Sequence, residues 1–306
     1  MLRFARNDVV VSKNYIRHCE RSEAIRYNFY PFMYNWGFYA NFAAKFYFMA
    51  KENKPLLLLT NDDGVQALGL NSLIDAVRPL GEIVVVAPDR ARSGMSGAIT
   101  AGSPIHATLV KKEENLTIYS CTGTPVDCVK LALNKLLERK PDILISGINH
   151  GSNASICVVY SGTVGAALEG CINEVPSLAV SLTDLSPAAD FSQAAKYGKR
   201  VAEEVLSSGL PQGICLNLNI PDIPNVKGLK VCSQTKGFWT KEFLEMKDPY
   251  GRNVYWLTGD FWNEEPENQL SDEWALNQGY AALVPLQIDM TAYSFLEKIK
   301  KWEEEL

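Results

Sequence analysis

The sequence predicts an α/β fold with a mostly parallel sheet for residues 54–306. Short, continuous apolar runs recur along this part of the chain, and segments with helical periodicity separate most of them. Continuous apolar runs are typical of parallel strands that are buried on both faces. Strands that alternate with helices at these lengths form βαβ units, so a layered arrangement with helices covering the sheet is expected.

The predicted elements follow a regular order up to about residue 222. Predicted strands occupy residues 55–60, 82–88, 116–123, 142–147, 177–182 and 213–221. Predicted helices occupy residues 70–80, 125–140, 162–173 and 188–208. From about residue 223 the rhythm changes to β-hairpin or extended segments at residues 228–234, 254–262 and 280–287. No long helix is predicted again until the charged tail, residues 294–306.

Residues 1–53 do not share this pattern. A basic start is followed by an aromatic-rich stretch that Pro31, Lys45 and three asparagines interrupt, which argues against a membrane-spanning helix. The stretch is also too polar and too aromatic for an ordinary signal peptide, although a signal or anchor is the alternative interpretation. We expect an extension outside the fold that results from a start codon placed too early, with Met49 as the natural start.

Composition and charge exclude several classes of function. The net charge of −5 argues against a surface for a nucleic-acid polymer, which requires clustered Lys and Arg. Seven cysteines without a CxxC pair indicate reduced thiols in a cytoplasmic protein. The three histidines lack metal-site spacing, so a zinc site built on Cys and His is not predicted.

The loops after the predicted strands are rich in Asp, Asn, Ser, Thr and Gly. Ligands of open α/β sheets bind beyond the carboxyl ends of the strands. Asp62 and Asp63 lie directly after the first strand, where two adjacent carboxylates repel each other unless a cation is near. Their oxygens suit Mg²⁺ or Mn²⁺, which could activate a water toward phosphorus. The alternative is that one aspartate caps the following helix and the other is solvated.

Two further loop motifs permit a structural and a functional interpretation. The sequence SGT at residues 161–163 offers either a helix N-cap or an anion site made by free amide groups. The sequence TGTPVD at residues 122–127 favours a structural role, with Thr124 as N-cap, Pro125 at N1 and Asp127 at N3. The chain contains no GxSxG elbow, no GxGxxG after a strand and no Walker A lysine.

Five motifs together resemble those of one family. They are LLLTNDDGVQALG, VVVAPDRARSGMSGAIT, GTPVDCVKLAL, PDILISGINHGSN and VYSGTVGAALEG. In order and spacing they are similar to the stationary-phase survival protein SurE family of 5′/3′-nucleotidases. The resemblance runs from about Pro55 to the early 290s and does not include residues 1–53. It implies a Rossmann-like, three-layer core.

The resemblance also implies the site residues. One divalent metal ion per subunit, Mg²⁺ or Mn²⁺, is expected on four ligands: Asp62, Asp63, Ser93 and Asn149. The substrate phosphate is expected on Asn153, Ser161, Gly162 and Thr163. The catalytic group expected from these positions consists of Asp62, Asp63, Asn153 and Ser161, with Asp62 as the candidate that orients or deprotonates the attacking water.

The implied activity is hydrolysis of nucleoside 5′- and 3′-monophosphates, and also of short polyphosphate. The implied partners are the nucleotide and further copies of the chain, in a homodimer or homotetramer that exchanges C-terminal segments; no membrane is involved. The aromatic stretch at residues 254–262 then forms a subunit interface, and the alternative is that it packs on its own domain. A nucleotide sensor without hydrolysis is the competing function, but paired carboxylates would repel its ligand.

A few positions depart from the family pattern or lack a role. Gln66 stands where the family has a histidine and Leu68 where it has a proline, so substrate preference is left open. Arg90 and Arg92 each have two interpretations: a side chain that assists at the phosphate, or an exposed residue that favours solubility. His106 and His150 are interpreted as structural or solvated.

Overall fold

The computed structural model describes residues 54–305, and the predicted extension at residues 1–53 lies outside this range. The described residues form one compact unit that starts at Lys54. No helix within this part of the chain is long and apolar enough to cross a membrane.

A nine-stranded sheet runs through the molecule in the order β3-β4-β2-β1-β5-β6-β7-β13-β8. Its strands are β1 Leu56–Thr60, β2 Glu82–Pro88, β3 Ala107–Glu113, β4 Leu116–Cys121, β5 Ile143–His150, β6 Ser177–Leu182, β7 Ile214–Ile220, β8 Leu229–Val231 and β13 Ala281–Gln287. The strands from β4 to β7 pair in parallel, whereas β3 and β13 join the sheet antiparallel to β4 and β7. The prediction of an α/β fold with a mostly parallel sheet is therefore confirmed.

Helices cover both faces of this sheet and make three layers. They are α1 Leu68–Val77, α2 Pro125–Leu131, α3 Gly162–Ile172, α4 Ser192–Ser208, α5 Asp272–Asn277, α6 Tyr293–Ile299 and α7 Trp302–Glu305. Short 3₁₀ segments span Arg78–Leu80 and Ser155–Val159. Helices α1 and α4 pack together on one face, and α2 and α3 pack together on the other.

Strand β1 shows why the leucine run is continuous. Leu57 and Leu59 belong to the hydrophobic cluster under α1 and α4, whereas Leu56 and Leu58 belong to the cluster under α2 and α3. Side chains alternate between the two faces of a strand, so a strand covered on both sides needs an apolar residue at every position. Burying each leucine contributes about 1.5–3 kcal/mol, which fixes β1 in the centre of the core.

Several elements differ from the prediction, including β3, α2 and the short helix α5, which was not predicted. Strand β3 was not predicted, because all seven of its residues are exposed and its charged sequence suits a sheet edge rather than a core. The helix predicted for residues 125–140 is shorter, since α2 ends at Leu131 and a π-helical turn, Ala132–Leu136, follows.

The C-terminal region contains a long hairpin arm, residues 237–263. Its strands are β9 Gly237–Thr240, β10 Phe243–Lys247, β11 Asn253–Leu257 and β12 Asp260–Asn263. Strand β9 pairs with β12 and β10 pairs with β11, both antiparallel, so residues 254–262 are the returning half of the arm and do not form a hairpin by themselves. Neither pair joins the nine-stranded sheet.

Candidate active site

Three loops meet beyond the carboxyl ends of the central strands. The loop after β1 is tied to the loop after β2, because Val65 N–H donates to the Pro88 carbonyl at 2.8 Å. The loop after β2 is tied in turn to the loop after β5, because Ser96 N–H donates to the Tyr160 carbonyl at 3.1 Å. Parallel strands bring these loops to one edge of the sheet, where α/β folds bind ligands.

Asp62 lies buried at the start of α3, with 3% of its surface exposed. The Thr163 hydroxyl donates a hydrogen bond to Asp62 Oδ1. A Cβ atom on Gly162 would lie 3.0 Å from Asp62 Cβ and 3.0 Å from Asp62 Oδ2, so glycine leaves the carboxylate room. Burial raises the pKa of Asp62 to about 6; the Thr163 hydrogen bond opposes this rise, and repulsion from Asp63 adds to it.

Asp63 is half-buried and faces the end of β5. Its Oδ2 accepts a hydrogen bond from His150 N–H at 3.0 Å. Burial raises the pKa of Asp63, and the hydrogen bond from His150 opposes that rise. Both adjacent carboxyl groups are thus harder to ionise than in water, so a bound cation would relieve the cost of charging them.

The amide of Asn149 has one end occupied and one end free. Its Nδ2 donates to the Gly151 carbonyl at 2.7 Å, and no hydrogen bond within residues 54–305 reaches its Oδ1. The side chain is 9% exposed. His150, the next residue, donates its N–H to Asp63, so the backbone beside Asn149 is held to the loop that carries the Asp pair.

Ser93 is placed near this region by the backbone of its neighbour, Arg92. Arg92 N–H donates to the Asp62 carbonyl at 2.7 Å, which places the next residue, Ser93, beside the first loop. The close approach requires Gly64, where φ is +106° and a Cβ atom would lie 3.3 Å from the Arg90 carbonyl carbon. The Ser93 side chain is exposed.

This donor set fits a hard divalent cation. Two carboxylates, an amide oxygen without a hydrogen bond and a hydroxyl are the oxygen ligands that Mg²⁺ and Mn²⁺ prefer. Within residues 54–305 no three His, Cys, Asp or Glu side chains gather in metal-binding geometry, as expected for a set with only two acids. Hydrogen bonds tie Asp62 to Thr163 at the start of α3 and Asp63 to His150, the residue after Asn149, and the Arg92 backbone holds the residue before Ser93 to the Asp62 carbonyl.

The predicted phosphate contacts lie at the start of α3 and in the loop after β5. Ser161 is the N-cap of α3, where its Oγ accepts from Val164 N–H at 3.0 Å, so the N-cap interpretation of this motif is confirmed. The hydroxyl of Thr163 is engaged by Asp62, which gives Thr163 a positioning contact that its place in the motif did not predict. Gly162 begins the helix without a side chain, where helix amide groups and the dipole favour an anion.

Asn153 lies in a buried polar network. Its backbone N–H donates to Asn219 Oδ1 at 2.8 Å, and its carbonyl accepts from Asn217 Nδ2 at 2.9 Å. Its Nδ2 donates to Ser181 Oγ at 2.8 Å. Sequence reasoning missed these three partners, although a signal was present: the asparagines at alternate positions interrupt an otherwise apolar strand.

The structure decides between the structural and functional interpretations of three motifs. Neither aspartate caps α1, whose N-cap is Ala67 without a side-chain cap, so the capping explanation of the Asp pair is wrong. The capping box at Thr124 and Asp127 is confirmed, with reciprocal hydrogen bonds of 3.1 and 2.9 Å. The Arg92 guanidinium donates to the Thr122 carbonyl at 2.7 Å, a structural contact.

The two positions that differ from the family pattern, and the two histidines without an assigned role, are at least partly exposed. Gln66 is exposed, and Leu68 is 63% exposed. Both belong to the loop and helix start that follow the Asp pair. His106 is exposed, whereas His150 is half-buried with its ring edge-on to Phe191.

Comparison with known proteins identifies the family. A model of the survival protein SurE family matches residues 57–241. The 5′-nucleotidase SurE of Phocaeicola vulgatus is 52% identical over 256 residues, which are 84% of this chain and 100% of that protein. The 5′-nucleotidase SurE of Bacteroides fragilis is 50% identical over 253 residues, 82% of this chain and 99% of that protein.

A solved structure shows the same arrangement of elements. The crystal structure of the Sure protein from Aquifex aeolicus has a TM-score of 0.71 to this chain and is 37% identical to it. It covers 81% of this chain, and all of that protein is matched. The family model, these relatives and the solved structure confirm the resemblance predicted from the sequence: the chain belongs to the survival protein SurE family.

Proposed function

We propose that the protein is a metal-dependent phosphatase that hydrolyses nucleoside 5′- and 3′-monophosphates to nucleoside and phosphate, and also short polyphosphate. One observation supports the proposal: two adjacent carboxyl groups, both with raised pKa values, are held at the point where the loop after β1 meets the start of α3 and the end of β5. Relatives about 50% identical over most of the chain are 5′-nucleotidases by name, which supports the substrate class.

Asp62, Asp63, Ser93 and Asn149 would hold one divalent ion, Mg²⁺ or Mn²⁺, in each subunit. When bound, such an ion polarises a phosphoryl oxygen and lowers the pKa of a water. The chain's own residues then supply position and hydrogen bonds. Thr163 donates to Asp62 Oδ1 and leaves Oδ2 without a side-chain partner within residues 54–305, and Asp62 orients or deprotonates the attacking water.

The phosphate is bound by groups around the start of α3. Asn153 and Ser161 donate side-chain hydrogen bonds to its oxygens, and the amide groups of Gly162 and Thr163 add to them with the helix dipole. In the reaction a water oxygen forms the new bond to phosphorus, the bond from phosphorus to the sugar oxygen breaks, and the departing sugar oxygen takes up a proton from water. Because the charge of the transition state spreads over the equatorial oxygens, these donors stabilise it more than the ground state.

A nucleotide sensor that does not hydrolyse its ligand is the second candidate. A binding site of that kind uses glycines and a helix start, but gains nothing from two carboxylates beside an anionic phosphate. Asp62 and Asp63 therefore favour the enzyme.

The hairpin arm supports a homodimer or homotetramer with exchanged C-terminal segments. Many of its apolar side chains are exposed, with Trp256 at 63% and Trp262 at 60%, and it pairs with no strand of the main sheet. Exposed aromatic side chains in such number are typical of an interface. Sedimentation of the full chain and of a chain with a shortened arm tests this; a full-length monomer would contradict it.

The first experiment measures phosphate release from a panel of 5′- and 3′-nucleoside monophosphates and from tripolyphosphate. EDTA should abolish release, and added Mg²⁺ or Mn²⁺ should restore it. Asp63→Asn tests the metal site, since its side chain keeps an oxygen for His150 N–H but loses the negative charge. We expect it to lose metal-dependent turnover while its circular dichroism spectrum is unchanged. Nucleotide binding without release under any metal would favour the sensor, and an active Asp63→Asn variant would refute the assigned metal site.

A further inference from the structure

Asn153 is held at its backbone and at its side chain. Asn217 Nδ2 donates to its carbonyl at 2.9 Å, and Asn219 Oδ1 accepts from its N–H at 2.8 Å. Ser181 Oγ accepts from its Nδ2 at 2.8 Å. Asn153 is 6% exposed, and its three partners are fully buried.

The partners belong to the rigid part of the fold. Asn217 and Asn219 alternate on β7 and therefore face the same side of the sheet. Ser181 on β6 pairs with Asn219 on β7 and with Asn149 on β5. The loop that carries Asn153 is thus fastened to two central strands, directly beside the strand that presents Asn149.

These asparagines are unfavourable choices for the core. Asn217 Oδ1 and Asn219 Nδ2 are buried without a hydrogen-bond partner within residues 54–305. Their neighbours on β7, Leu216 and Leu218, contribute to the apolar cluster on the opposite face. A buried polar atom without a partner costs free energy, so stability alone does not explain two asparagines here. Their side chains instead hydrogen-bond to the backbone of Asn153.

We propose that Ser181, Asn217 and Asn219 are positioning residues that fix Asn153 in the orientation in which its amide donates to the substrate phosphate. This inference rests on the proposed phosphatase function. The Nδ2 group of Asn153 has two hydrogens; Ser181 takes one of them, which leaves the other for a phosphate oxygen. Without Ser181 the amide rotates, and its oxygen can then face the anion, which repels it.

The test uses two matched substitutions on β6. Ser181→Ala and Ser177→Ala each remove a fully buried hydroxyl from the same strand, but Ser177 donates to the Val175 carbonyl and does not contact Asn153. Substitution of residues that orient a functional group through a hydrogen bond, as established for metal ligands, typically lowers activity about 10- to 100-fold. We expect Ser181→Ala to lower kcat/KM for a nucleoside monophosphate about 10-fold and Ser177→Ala to leave it unchanged, with thermal unfolding measured for both.

A double-mutant cycle separates positioning from a general structural effect. In an Asn153→Ala background, Ser181→Ala should cause no further loss of kcat/KM, since the group that it orients is gone. Asn219→Ala in the same cycle provides a second variant with the same expectation. Multiplicative losses in the double variants, or equal losses from Ser177→Ala and Ser181→Ala, would overturn the positioning role. An active Asn153→Ala variant with normal kcat/KM would also overturn it, whereas a wild-type protein that releases no phosphate would overturn the proposed function and this inference with it.

Discussion

The hydrogen bond from Thr163 to Asp62 allows a quantitative prediction. Thr163→Val removes the donating hydroxyl but keeps the branched shape of a fully buried side chain. A hydrogen bond to a charged group contributes about 1.5–3 kcal/mol. At 1.36 kcal/mol per pKa unit, its loss should raise the pKa of Asp62 by roughly 1–2 units above its present value of about 6.

The shift predicts a loss of metal affinity that depends on pH. A divalent ion binds the ionised carboxylate, so protons compete with it below the pKa. At pH 7 the carboxylate of the wild-type protein is mostly ionised, whereas about 10–50% of the Thr163→Val carboxylate is, which weakens binding roughly 2- to 10-fold. At pH 8.5 the carboxyl group is largely ionised in both proteins, and the two affinities should converge.

Isothermal titration of Mg²⁺ or Mn²⁺ into the metal-free protein at these two pH values measures the effect directly. Thr163→Ser is the matched control, because it keeps the hydroxyl and should bind like the wild-type protein. Equal affinities of Thr163→Val and wild type at pH 7 would refute the reasoning. A loss of equal size at both pH values would show that Thr163 acts by some means other than the ionisation of Asp62.

Two further predictions concern the loops around the site. Gly162→Ala places a Cβ atom 3.0 Å from Asp62 Oδ2, so phosphate release should fall about 10-fold or more while the unfolding midpoint moves by only a few degrees; undiminished release would contradict the crowding argument. Asp127→Ala removes the acceptor for Thr100 and Thr124 and should lower the free energy of unfolding by about 2–4 kcal/mol in urea at pH 7. Burial opposes ionisation of Asp127, yet these hydrogen bonds lower its pKa overall. The stability that the ionised Asp127 contributes is therefore fully present above the unfolded-state pKa and is lost as pH falls through the lower folded-state pKa. Near pH 3 the difference between Asp127→Ala and the wild-type protein should therefore narrow, and a constant difference would contradict the assigned cause.

The sequence predicted β1 correctly because all of its side chains have the same, buried environment. β1 reads as a strand because both of its faces are covered and every position needs an apolar side chain. β3 was missed because an exposed edge strand carries no apolar periodicity and depends on its pairing with β4. The pairing of the hairpin arm was also not evident, since aromatic residues favour strands without specifying a partner.

The sequence by itself determined the family, most of the strands and helices up to about residue 222, and the loops in which the acidic and polar side chains occur. These features are local: strand and helix periodicities and short motifs are written in neighbouring residues. The tertiary structure decided how the side chains engage one another. The Thr163 hydroxyl reaches Asp62 across 101 positions, and Asn217 reaches Asn153 across 64. Such contacts exist only once the parallel sheet has brought distant loops to one edge, because local periodicity does not encode which strands become neighbours.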